Sequence, residues 1–133
     1  MDRKRGVNLR ELFGAVILVL LLLAGMLSAW YMDRQHRAMA EAMEESSWMA
    51  LSGQWANAGE KAMSVRRDWE KGWRIRAALA DHAPMEEIDS LFRELTVYEA
   101  AGERTDFAQV CAVLAEKLKS IASSGGFSWW NVL

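Results

Sequence analysis

LFGAVILVLLLLAGMLSAWYM, Leu12 to Met32, is a run of twenty-one residues without a charge. Wound as a helix it is about 31 Å long at about 1.5 Å per residue, enough to cross a hydrocarbon core. It reads as a transmembrane anchor, and it makes the rest of the chain a domain tethered at a bilayer surface. A cleaved signal peptide fits less well. Its apolar region spans about 7–15 residues and ends in small ones, whereas this run is longer and ends in bulky Trp30 and Tyr31. No Ala-x-Ala closes it: Leu27 stands at the critical spacing before Ala29, and Met26 before Ser28. Cys111, the only cysteine, is too distant to carry a lipid. Trp30 and Tyr31 suit the membrane interface, where an amphipathic ring sits half wet.

Basic residues give the expected orientation, because the cytoplasmic side of a span carries the excess of Lys and Arg. Residues 1–11 hold Arg3, Lys4, Arg5 and Arg10, against Arg34 and Arg37 in the stretch that follows the span. A basic cytoplasmic segment (1–11), a transmembrane helix (12–32), an extracytoplasmic bundle (33–126) and an apolar tail (127–133) are therefore expected. The part beyond the span has twelve Lys/Arg and sixteen Asp/Glu, a net charge of −4, which argues against a nucleic-acid partner. About a hundred residues close one small core. One Pro and an abundance of Ala, Glu, Met, Leu, Arg and Lys favour helix, and alternating β-branched runs are absent.

The spanning helix is expected to run on to Leu51, since nothing from Asp33 onward stops it. Met32, His36, Met39, Met43 and Ala50 recur near the helical period, with Glu41, Glu44 and Glu45 on other faces. Ser52-Gly53 punctuates the chain, Ser being available as an N-cap for the next helix. A second helix should run from about Gln54 to about Ala80. Trp55, Ala58, Ala62, Val65, Trp69, Trp73 and Arg76 would lie on one side, and Glu70 would pair with Arg74 outside. Gly59 and Gly72 weaken it and invite close packing by a neighbour. Asp81-His82-Ala83-Pro84 breaks the chain, with Pro at the first position of a third helix and Glu86, Glu87 and Asp89 in its first turn. That helix buries Ile88, Leu91, Phe92, Leu95 and Tyr98 and ends at Gly102. Thr105 or Asp106 caps the fourth, with Gln109 completing a capping box and Phe107, Val110, Cys111, Leu114, Leu118 and Ile121 inward. Ser123-Ser124-Gly125-Gly126 then releases the tail FSWWNVL. Short connections make neighbours antiparallel. The fold class is all-α: an N-terminal transmembrane helix continuing into an up-and-down bundle of three to four antiparallel helices.

The order of these residues is familiar. An N-terminal anchor, Trp55-Ala56-Asn57-Ala58, Trp69 and Trp73, Asp81-His82 followed by Ile88-Asp89, Tyr98, and a terminal Asn131-Val132-Leu133 span most of the chain. Together they resemble the bacterial family of small membrane proteins catalogued as domain of unknown function 4363. Here the segment between His82 and Ile88 is stretched by Ala83-Pro84-Met85. The resemblance implies a single-pass protein with an extracytoplasmic helical domain, and it implies no reaction.

Asp81, His82, Glu86, Glu87 and Asp89 are the densest group of potential ligands. Structural zinc usually draws on several Cys or His residues, so one His among carboxylates reads as a capped, dipole-compensated helix start, and neither metal nor cofactor is expected. His36 reads as a stalk residue. Trp55, Trp69 and Trp73 tempt a sugar-stacking reading, but a stripe at helical spacing belongs to a core. Trp129 and Trp130 have three readings: docking on the bundle, which is favoured, touching the bilayer, or meeting a partner. Cys111 reads as a small buried hydrophobe; exposed, it would bridge two chains. Gly25-x-x-x-Ala29 and Ala24-x-x-x-Ser28 would permit a homodimer within the membrane.

The expected function is non-catalytic: a membrane-anchored module of the bacterial cell envelope that presents a helical surface to another envelope protein. The alternative is an envelope sensor or ligand-binding subunit, although so small a bundle leaves little room for a pocket of about 300 Å³ or more. An enzyme needs a nucleophile, a base and an orienting group brought together, and no such set stands out.

Overall fold

The computed structural model describes residues 8–74 and 82–124. Among these, four long helices are present: α1 (Leu9–Leu51), α2 (Trp55–Lys71), α3 (His82–Ala101) and α4 (Arg104–Ser124). The 43 residues of α1 divide by what surrounds them. Its N-terminal part carries exposed Leu, Ile, Val and Phe side chains on every face, and it is long and apolar enough to cross a membrane. Beyond Met32 one face becomes buried, through His36, Met39, Ala40, Met43, Ser46 and Ala50. That three-to-four-residue recurrence is the seam of a helix packed on others. The helix does not break between the two parts.

Gly53 ends α1. Its φ of +88° is left-handed, and the Gln54 N–H reaches back to the Met49 carbonyl at 2.9 Å, which satisfies an otherwise orphaned acceptor. Ser52, expected to cap the next helix, instead closes this one, donating its Oγ hydrogen to the Met49 carbonyl at 3.2 Å. Gly102 closes α3 in the same way: φ is +72°, its N–H bonds the Glu99 carbonyl at 3.2 Å, and Glu103 N–H bonds Tyr98 at 3.0 Å. An L side chain held at such an angle costs about 1–2 kcal/mol. Gly102→Ala should therefore lower stability by about 1 kcal/mol, seen as a lower urea midpoint with an unchanged slope.

The remaining boundaries differ from the sequence expectation in small, physical ways. Gly72 caps α2 at Lys71, with its N–H on the Asp68 carbonyl at 3.3 Å, so this helix stops well before Ala80. Helix α3 begins at His82, which leaves Pro84 in the first turn but not at its first position; a missing N–H costs nothing there. Helix α4 begins at Arg104, so Thr105 and Asp106 lie inside its first turn, and the Asp106 carboxylate suits the positive end of the helix. Gly59 is the close-packing position the sequence anticipated: a Cβ there would stand 3.2 Å from Glu99 Oε1 of α3.

The helices run up, down, up and down. Ser47 of α1 donates to the Ala108 carbonyl near the start of α4 at 2.8 Å, whereas Glu44, nearer the apolar run, pairs with Lys119 near its end. Trp55 meets Phe107 edge-on at 4.9 Å, while the other end of α2 brings Trp69 beside His36. Helix α1 packs most extensively on α4, then on α2; α3 lies on α4, and α2 and α3 touch only lightly. Trp69, Met43, Ile88, Leu95, Phe107, Leu114 and Leu118 are fully buried. The expected inward faces of α3 and α4 are buried or half-buried throughout, and Met85, not anticipated, joins them. Burying a Leu, Ile or Phe contributes about 1.5–3 kcal/mol, against about 0–1 for an exposed ion pair. The apolar stripes therefore hold the bundle. Lys61–Glu45, Lys119–Glu44 and Lys117–Glu87 (2.7 Å), each joining two helices, help to select the register.

Candidate functional site

Among the described residues, two clefts stand out on the bundle surface. One of about 530 Å³ lies between α1 and α4 and is lined by Arg37, Glu41, Glu116, Lys119, Ser120 and Ser123. Its groups are solvated, and Lys119, hydrogen-bonded to Glu44, has its pKa raised by that bond. The other, of about 400 Å³, lies between α2 and α3 and is lined by Arg66, Trp69, Glu70, Trp73, Asp89, Phe92 and Arg93. Both are clefts open to solvent, not enclosed cavities. The second exists because α2 and α3 are the pair left ajar.

Polar bonds bridge that seam. The buried Trp69 indole Nε1–H donates to Asp89 Oδ1 at 2.6 Å. Its ring lies between His36 and Phe92, each 6.1 Å away between centroids. One turn from Trp69, Arg66 donates from Nη1 to Thr96 Oγ1 at 2.6 Å and from Nε to Glu70 Oε1 at 2.8 Å. The Thr96 hydroxyl spends its own hydrogen on the Phe92 carbonyl at 2.9 Å, so one oxygen links α2 to the α3 backbone. Trp69 and Phe92 give the groove an apolar floor. Arg66, Glu70, Asp89 and Arg93 give it a charged rim, and Trp73 stands exposed at the edge nearer the apolar end of α1. Such a surface can hold a flat apolar group with a polar end. Its described lining holds two arginines, two carboxylates and three aromatic rings.

The sequence candidates fall out as follows. Asp89 is not a free ligand, since its carboxylate receives the Trp69 indole. Glu87 is paired with Lys117 and Glu86 is exposed. Asp81 and the His82 side chain lie outside the described residues, as do Arg76 and the tail with Trp129 and Trp130. Among the described residues no three His, Cys, Asp or Glu side chains converge as a metal site would require. His36 is a correction: it is 6 % exposed and packed by Trp69, a core residue and not a stalk residue. The signal was its place in the stripe with Met39 and Met43. Trp73 is a second correction. It stays 57 % exposed at the edge of the groove, just past the interruption at Gly72, and does not stack into the core with Trp69. Glu70 pairs with Arg66, one turn back, and not with Arg74. Trp30 and Tyr31 are exposed at the end of the apolar span, with the Arg34 guanidinium 5.6 Å from the Trp30 ring.

Cys111 is buried, and desolvation of the thiolate pushes its pKa from 9.0 up to about 12. The sign follows: the unfolded chain loses this proton first, so stability is intact below about pH 9 and falls as pH rises from there toward 12. At pH 8 the folded protein should react with iodoacetamide only through opening of the bundle, and the rate should jump in denaturing urea. Rapid labelling of the native protein would contradict this burial.

Neither a curated protein nor a solved structure matches the chain. The family profile described as domain of unknown function (DUF4363) matches residues 27–132, from the last turns of the apolar run through the bundle. The match covers far more than half of the sequence, and the chain belongs to that family.

Proposed function

We propose that this chain is a non-catalytic interaction or structural module of the bacterial cell envelope, held in the cytoplasmic membrane by α1 with residues 1–11 inside and the bundle outside. One observation carries the reading: a single unbroken helix is uncharged and almost wholly exposed from Leu12 to Met32 and packed as a core element beyond it. An exposed apolar helix of this length needs lipid around it. The basic residues before it, more numerous than those just after, support the orientation. A protein partner would meet the long exposed faces of α2, α3 and α4. Topology is tested with Ser90→Cys, an exposed α3 position, since buried Cys111 gives little background. An impermeant maleimide added to intact cells should label it. Labelling only after lysis would place the bundle in the cytoplasm. Crosslinking in membranes followed by capture should then yield one specific envelope protein, and capture of none would count against a partner-binding role.

A sensor or ligand-binding subunit is the second reading, and the α2–α3 groove favours it, because its volume falls within the range of small-molecule sites. Thermal shift against divalent metals and muropeptide fragments tests it; no stabilisation by any of them would remove it.

A further inference from the structure

We infer that Trp73 is a second interfacial anchor, placing the open end of α2 in the lipid headgroup layer of the membrane that α1 crosses. This rests on the reading of α1 as a membrane span and extends it from the helix to the bundle. The argument is one of level. His36 lies five residues beyond Tyr31, or about 7.5 Å along α1. Trp69 is packed beside His36, with ring centroids 6.1 Å apart. Helix α2 runs the opposite way, Gly72 keeps an αR backbone (φ −81°) and Trp73 is helical again, so four residues further on Trp73 has returned about 6 Å toward the span. It therefore stands within a helical turn of the level of Trp30 and Tyr31. The polar layer on each side of a bilayer is about 5–7 Å deep, as the difference between total and hydrocarbon thickness. An indole at that level meets lipid headgroups.

Its exposure and its neighbours fit such an environment. Trp73 is 57 % exposed, as Trp30 is at 59 %, although a bare indole in water is the costlier arrangement for a ring with one polar edge. Three carboxylates at this end are held by basic partners: Asp33 by Arg37, Asp68 by Lys71 and Glu70 by Arg66. Arg34 and Arg74 are exposed beside Trp30 and Trp73, and guanidinium groups there meet lipid phosphates while their stems lie on apolar surface. Trp48 supplies the contrast. It is more exposed still, at 75 %, but seventeen residues beyond Tyr31 it stands about 25 Å from that level, out of reach of any lipid.

The test uses the full chain labelled with 5-fluorotryptophan in nanodiscs of phosphatidylcholine and phosphatidylglycerol, with and without a lipid carrying a gadolinium chelate on its headgroup. Trp30→Phe, Trp48→Phe and Trp73→Phe each remove one fluorine resonance and so assign it. The Trp73 signal should broaden about as much as that of Trp30 and several-fold more than that of Trp48. A Trp73 signal as sharp as that of Trp48, beside a broadened Trp30, overturns the inference and leaves the span reading standing. A Trp30 signal that is not broadened overturns both. An unchanged urea midpoint for Trp73→Phe is expected too, because an interfacial ring is not a core ring; a large drop would make Trp73 part of the fold instead.

Discussion

Arginine placed at both Leu20 and Leu22 should remove the protein from the carbonate-resistant membrane fraction. Both positions lie mid-span, where each Arg costs about 2.5–3.5 kcal/mol on the insertion scale, about 6 kcal/mol together. Snorkelling lowers such penalties near the ends of a span but least at its centre. Neither leucine touches the bundle, since both are exposed along α1. The expected result is therefore a split one: membrane retention is lost while Cys111 stays protected from iodoacetamide in whatever soluble chain is recovered. Leu20→Ala with Leu22→Ala keeps the run uncharged and should stay in the membrane. An unaltered chain extracted by carbonate would end the reading of α1 as a span, whatever the variants do.

Trp69→Ala should cost about 3–5 kcal/mol, the usual range for emptying a large aromatic site. Small domains are stable by only about 5–15 kcal/mol, so the bundle should be close to half unfolded in mild denaturant and its Cys111 labelled at a rate approaching that of the unfolded chain. The indole is 2 % exposed and bonded to Asp89, and its ring is packed by His36 from α1 and Phe92 from α3. Trp69→Phe separates packing from the polar bond. It retains most of the ring and should cost about 1.5–3 kcal/mol through the lost hydrogen bond to a charged acceptor. Asp89→Asn leaves an acceptor oxygen and should cost less than either. A Trp69→Ala protein with an unchanged urea midpoint would mean that α2 is not held through this side chain.

What could be read from residues alone was whatever has a local cause. The stop at Gly53 needed only a glycine after a long uninterrupted helix, and the stripes of α3 and α4 needed only periodicity, which burial follows through Ile88, Phe92, Leu95 and Leu114. His36 was half legible. Its register placed it inward, but a histidine next to a membrane span invites a solvated reading until Trp69 is brought against it from thirty-three residues away. The same distance problem hid the Trp69–Asp89 bond: spacing along one helix says which residues share a face, and nothing about which carboxylate of another helix meets an indole. Trp73 misled because periodicity gives the face of a helix but not whether a neighbour covers it, and past the interruption at Gly72 nothing buries this ring. The groove between α2 and α3 was not legible at all, being a property of how far two helices stand apart. The polar turn at Asp81 and His82 and the tail with Trp129 and Trp130 remain sequence readings only.

The unbroken path of α1 has a mechanical consequence. From Tyr31 to Leu51 is twenty residues of stiff rod, about 30 Å, with no joint where it leaves the apolar run. A 10° change in tilt of the lower segment therefore sweeps the tip through about 5 Å, an amplitude that a glycine hinge would dissipate. On the proposed membrane reading, crowding or bilayer-thickness changes that re-tilt one end would be felt at the other as displacement, and the molecule would act as a pointer whose heading is steered from below.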